Sequence, residues 1–149
     1  MPPGGASSNY AFPLGRIETL ERLFLLLAGI NGFMAVATGA FGAHGLKKML
    51  AATDGGALRL EWWETAARYQ MYHALALGLL AFLATKVQWT GITVGGWLMV
   101  AGIVLFCGSL YVMTLTGVRA LGAITPLGGL AFLGGWLMII LAAWRLGQS

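Results

Sequence analysis

From Leu23 to Leu46 the chain runs 24 residues without one Asp, Glu, Lys or Arg. The hydrocarbon core of a bilayer is about 30 Å thick, and an α-helix of about 20 apolar residues crosses it with every backbone polar group satisfied inside the segment. The signature returns twice, from Val87 to Val118 and from Ala120 to Trp144, both without formal charge. Between Arg68 and Lys86 lie 17 residues, enough for a further crossing when the flanking charges snorkel to the interface. The expected fold is therefore all-α, an integral membrane bundle of four transmembrane helices running up-down-up-down. The spans are placed at about 23–46, 69–85, 92–115 and 121–143.

Composition agrees. Of 149 residues, 58% are hydrophobic and only 9% charged, against about 25% charged in a soluble domain. Four spans and their connections leave room for one domain, residues 16–149. Residues 1–15 hold three prolines, three glycines and two serines, too little apolar surface to offset the entropy of ordering them, and read as a flexible tail. The first apolar run exceeds the roughly 7 to 15 residues of a secretory signal core and is followed by further spans, so an uncleaved helix is expected. The net charge of +4 comes from cations scattered between apolar runs, with no basic stripe of the kind nucleic acid requires. A single cysteine, Cys107, sits within an apolar run and excludes an intrachain disulfide or a paired-cysteine metal site.

Between the first two spans, Leu58, Leu60, Trp62, Trp63, Ala66 and Ala67 alternate with Arg59, Glu61, Glu64 and Arg68. This pattern predicts an interfacial amphipathic helix, with Trp at headgroup depth and Glu64 paired to Arg68, running on into the second span. Small residues recur at four-residue spacing, as in Ala28 and Gly32, Ala74 and Gly78, Gly91 and Gly95, and Ala131 and Gly135. Such rows let membrane helices approach closely, within the bundle or across a homodimer. The charges at span ends are densest in the first loop, at Lys47 and Lys48, which places that loop on the cytoplasmic side.

The polar residues concentrate at the end of the bundle where span one joins span two and span three joins span four. His44, Tyr69, Tyr72, His73, Ser109, Tyr111 and Thr125 all belong to that end. Polar groups in hydrocarbon are costly unless partnered, so these seven form the candidate site. Several have structural readings: His44-Gly45-Leu46 as a helix C-terminus with a left-handed glycine, Thr125-Pro126 as a cap and first turn, and the tyrosines as an aromatic belt. Chemical readings compete with them. His44 and His73 supply two imidazoles to a metal or haem, although two ligands leave a zinc site incomplete. Ser109 with His73 makes a nucleophile and base without an oxyanion hole. Asn31 bridges helices or, with Ser109, lines a path for a small solute or lipid.

The order of four motifs resembles the YgdD-like family of small four-helix membrane proteins. They are Gly39-Ala40-Phe41-Gly42-Ala43-His44-Gly45-Leu46, Tyr69-Gln70 with Tyr72-His73-Ala74-Leu75-Ala76-Leu77, Phe106-Cys107-Gly108-Ser109-Leu110-Tyr111, and Ile124-Thr125-Pro126-Leu127-Gly128-Gly129 with Gly135-Trp136. The match covers nearly all of the chain after the tail; the tail and the Trp62-Trp63 segment fall outside it. The resemblance implies the four-helix fold, a bacterial inner-membrane location and a mitochondrial counterpart in animals, and no established activity. The combined expectation is a non-enzymatic, multi-pass accessory or scaffold subunit, without a cofactor, whose partners are the bilayer and a larger membrane complex or a second copy. A metal or haem protein using His44 and His73 is the alternative, and a small-solute or lipid transporter the third reading.

Overall fold

The structure, a computed structural model, describes residues 14–146, with side chains from Thr19 onward. The expected tail lies outside the described residues, apart from Leu14 and Gly15, which open the first helix. Helix α1 spans Leu14–Phe41, passes through a π-helical turn at Gly42–Leu46 and ends as α2, Lys47–Leu50. Helix α3 is Gly56–Ala84. Helix α4, Thr90–Gly102, continues through a second π turn, Ile103–Cys107, into α5, Gly108–Thr116. A 3₁₀ turn, Arg119–Ala123, leads to α6, Thr125–Leu146.

Three of these rods are long and apolar enough to cross a membrane: Thr19–Leu50, Thr90–Thr116 and Arg119–Leu146. Helix α3 is the less apolar one because it fuses two expected elements, the interfacial segment and the second span, into one unbroken helix. Its place in the bundle is set by its contacts along its whole length. Against α1 it runs antiparallel, with Gly78 beside Ala28, Gln70 bonded to Asn31 and Trp63 bonded to Thr38. Against α4 and α5 it is again antiparallel, from Leu80 beside Gly95 to Arg59 on Thr114. Thus α3 occupies the same depth as the three apolar rods and completes the up-down-up-down bundle.

Glycines set the closest approaches. The Phe24 ring lies where a Cβ on Gly96 would stand, and the Phe132 ring does the same at Gly102. A Cβ on Gly128 would collide with the backbone of Phe106, so α6 touches the main chain of the second π turn. The main core joins Phe24, Leu77, Leu80, Met99, Ile103, Cys107 and Phe132, and Cys107 is the small buried residue its context predicted. Not every small-residue row is used. Gly29, Gly32 and Gly39 have nothing near the space a Cβ would take.

Two turns need left-handed glycine. Gly55, at φ 67°, precedes α3, and Gly117, at φ 77°, closes α5 with its N–H donating to the Met113 carbonyl at 2.8 Å. Gly45 is not among them. The helix does not stop at His44: the π turn carries it on, with the Lys47 N–H donating to the Gly42 carbonyl. One extra residue in the turn rotates the helix beyond it and lets Gly42 lie under the Trp63 indole, which a side chain there would displace. Trp63 itself is buried within the bundle. No ion pair forms between Glu64 and Arg68; the Arg68 guanidinium reaches the Thr65 hydroxyl at 3.5 Å instead.

Candidate functional site

The seven candidate residues divide into separate settings. Tyr111 belongs to a hydrogen-bonded chain that ties α1, α3 and α5 together. Its phenol donates to Gln70 Oε1 at 2.8 Å, Gln70 Nε2 donates to Asn31 Oδ1 at 3.1 Å, and Asn31 Nδ2 donates to the Leu27 carbonyl at 2.8 Å. A phenol has one proton, and Tyr111 gives it to Gln70. Thr38 Oγ1 is therefore the donor in its 2.9 Å contact with Tyr111, in competition with the Ala35 carbonyl at 3.2 Å. The Trp63 indole N–H donates to the Thr38 carbonyl at 2.8 Å and packs edge-on against Tyr111, ring centroids 4.6 Å apart. All the donors point the same way, from Thr38 on α1 through α5 and α3 back to α1. Asn31 thus bridges helices.

Ser109 and Thr125 form a second, smaller setting between α5 and α6. With the Ser109 proton on the Phe106 carbonyl at 3.0 Å, the Thr125 hydroxyl donates to Ser109 Oγ at 2.8 Å. Thr125 is the first residue of α6 and makes no capping bond; its hydroxyl has been taken by Ser109, which the close contact of Gly128 with Phe106 brings within reach. Ser109 makes no bond to His73, which removes the nucleophile and base pair.

His73 and Tyr69 form the third. The buried His73 ring lies flat on Phe132, centroids 3.3 Å apart and 9° from parallel, with its Nδ1 2.7 Å from the Tyr69 carbonyl. Tyr69 stacks on Phe106 at 4.8 Å, and Trp136 meets His73 edge-on at 6.3 Å. Tyr72 stands half outside, tilted against Tyr69 at 6.0 Å. His44 joins none of this. It is exposed on the first π turn, and no contact links it to His73. The π turn turns His44 outward while the stack on Phe132 draws His73 inward, so the pair expected as metal or haem ligands does not assemble. Among the described residues no group of three or more His, Cys, Asp or Glu is placed to hold a metal ion.

Residues 38–129 match the family described as "Protein of unknown function (DUF423)". The chain is 50% identical to the UPF0382 membrane protein YwdK of Bacillus subtilis over 123 residues, 82% of this chain and 96% of that protein. The chain belongs to the DUF423 family. Other members include UPF0382 membrane proteins of Staphylococcus saprophyticus, 44% identical over 84% of this chain and 99% of theirs, and of Staphylococcus aureus, 44% identical over 83% and 97%. No solved structure matches this chain. This DUF423 protein is thus a multi-pass membrane protein with bacterial relatives, consistent with the bacterial inner membrane.

Three residues of its polar end do not stand out in the sequence. Gln70 reads only as part of a motif, although an amide in the expected second span is signal enough to ask for a partner. Thr38, as a hydroxyl on an apolar helix, carries none. Arg59, an interfacial charge by its pattern, in fact caps α5: its guanidinium donates to the carbonyls of Thr114 at 2.7 Å and Leu115 at 2.9 Å, and the Thr114 hydroxyl proton is shared between the Arg59 and Leu110 carbonyls, each at 2.9 Å. The legible sign is Gly117, since a glycine that ends a helix leaves orphan carbonyls behind it.

Proposed function

We propose that this DUF423 protein is a non-enzymatic membrane protein that acts through its helix faces, as an accessory or scaffold subunit of a larger membrane assembly. The observation that carries this reading is the fate of the interior polar groups. Among the described residues, no fully buried side-chain nitrogen or oxygen lacks a hydrogen-bond partner. Asn31, Gln70, Tyr111, Thr38 and Trp63 hold one another, and Ser109 holds Thr125. Groups committed to holding helices together are poorly placed to pass a solute, which also argues against transport along Asn31 and Ser109.

Helix α1 supports the reading from the outside. Only 11% of its most apolar stretch is buried within the bundle, against 44% for the α4–α5 rod. Gly29, Gly32 and Gly39 stay open on this peripheral rod, a surface on which another helix could lie closely. The YgdD-like resemblance implies the same four-helix fold in an animal mitochondrial counterpart, and on this reading the accessory role would reach beyond bacteria. Purification in mild detergent followed by mass spectrometry tests the proposal: the expected result is a stoichiometric membrane partner. A lone stable monomer or homodimer would count heavily against it.

A further inference from the structure

His73 is buried, its ring is stacked on Phe132 with Tyr69 beside it, and one of its two nitrogens has nothing to bind. The Tyr69 carbonyl can only accept, so Nδ1 carries a proton and the uncharged ring presents its lone pair at Nε2. Nε2 makes no hydrogen bond, and because every fully buried side-chain nitrogen or oxygen among the described residues is partnered, this atom is not fully enclosed by the protein. His73 lies mid-way along α3 in a membrane-spanning bundle, and in hydrocarbon an unmet acceptor is expensive and finds no donor. The hydroxyls of Tyr69 and Tyr72, both exposed, make no hydrogen bond either. Trp136, half outside on α6, stands across from them.

We propose that His73, Tyr69, Tyr72 and Trp136 form a lipid-facing site between α3 and α6 for a ring-headed membrane lipid of the hydroquinone class. The chemistry of the opening selects it. Nε2 calls for a donor, which excludes ester and quinone carbonyls and admits a hydroxyl. The tyrosine hydroxyls donate to a second oxygen on the same ligand. The exposed faces of Tyr72 and Trp136 favour an aromatic ring over an acyl chain, because ring pairs gain from stacked and edge-on contact beyond the area they cover. This inference stands apart from the accessory role, which uses α1 rather than α3 and α6.

The full chain, labelled with ¹⁵N-histidine and placed in phosphatidylcholine nanodiscs, gives ring signals from only two histidines. Titration with a short-tailed benzoquinol is expected to shift the Nε2 signal of His73 and leave His44 unmoved. The corresponding quinone, having no hydroxyl, and diacylglycerol, having no ring, are expected to leave both in place. Tyr72→Phe and Trp136→Leu, on side chains that stand about half outside the bundle, should each weaken the benzoquinol response by about three- to tenfold. Four results overturn the proposal: no His73 shift with benzoquinol, an equal shift with the quinone or with diacylglycerol, unchanged affinity in both variants, or an Nε2 already hydrogen-bonded to water before any ligand is added.

Discussion

The two ends of the bundle are built by different means. Where α3 meets α4 and the start of α1, apolar side chains drop into glycine notches: Phe24 at Gly96, and Leu80 with Met138 at Gly95. At the first-loop end the contacts are hydrogen bonds, from Trp63 and Thr38 through Tyr111 and Gln70 to Asn31, with Arg59 closing α5. In a bilayer the lipid tails are as apolar as leucine, so burying apolar surface does little to choose one helix arrangement over another, and close packing or hydrogen bonding must do it. The glycine end fixes how near the helices come. The polar end fixes their register, because a one-turn slip would break the links from Trp63, Tyr111 and Gln70 between helices.

The largest expected effect lies where the two devices meet. Gly128 touches the Phe106 main chain, which cannot rotate away as a side chain can, and the same contact holds Thr125 within reach of Ser109. Gly128→Leu is expected to destabilise the protein by about 3 kcal/mol, the upper part of the usual range for overpacking. Denaturant titration of the purified protein in detergent measures it. If the change costs no more than Gly32→Leu on the open face of α1, close approach is not what fixes α6.

Gln70→Leu tests the polar end. It removes the central link, leaving Tyr111 without its acceptor and Asn31 Oδ1 without its donor, and is expected to cost about 2 kcal/mol in the same titration. Tyr111→Phe keeps the packing on Trp63 and removes only the phenol, so a loss of about 1 kcal/mol is expected. The pair sharpens the comparison further. Since both changes break the same chain, the double variant should lose less than the two single losses added together, and strict additivity would mean that the residues do not act as one network.

Most of the architecture is legible in the sequence because lipid imposes a single strong rule. Uncharged runs from Leu23, Val87 and Ala120 mark α1, the α4–α5 rod and α6, although α1 begins well before its run, at Leu14, and α6 inside its own, at Thr125. Helix α3 is legible as an interfacial segment that runs on into the second span, but only contact with α1 and α5 shows that Arg59 and Trp63 of its charged first half face inward. The sequence shows which polar residues the spans carry, yet not which of them meet. That depends on helix rotation, and two π turns shift the phase of α2 and α5 by an amount no spacing in the sequence records. Hence His44 and His73, expected at the same membrane level, end apart: the Trp63–Thr38 and Gln70–Asn31 pairings set His73 opposite α1 well before the π turn that carries His44.

That pair yields the smallest expected effect and the most direct check on the division of the site. His44 is exposed on the π turn, with no hydrogen bond and no ring contact, so His44→Ala removes only surface and should change stability by less than about 0.5 kcal/mol. His73→Ala removes a ring stacked on Phe132 and leaves a gap behind Tyr69, so it should cost about 2 kcal/mol or more. Both are read by thermal unfolding in detergent with and without a strong chelator. The expected result is a large difference between the two variants and no response of either to the chelator. A destabilisation by chelator that disappears equally in both variants would mean that the two imidazoles share a ligand, and the separation of His44 from the inner polar groups would have to be abandoned.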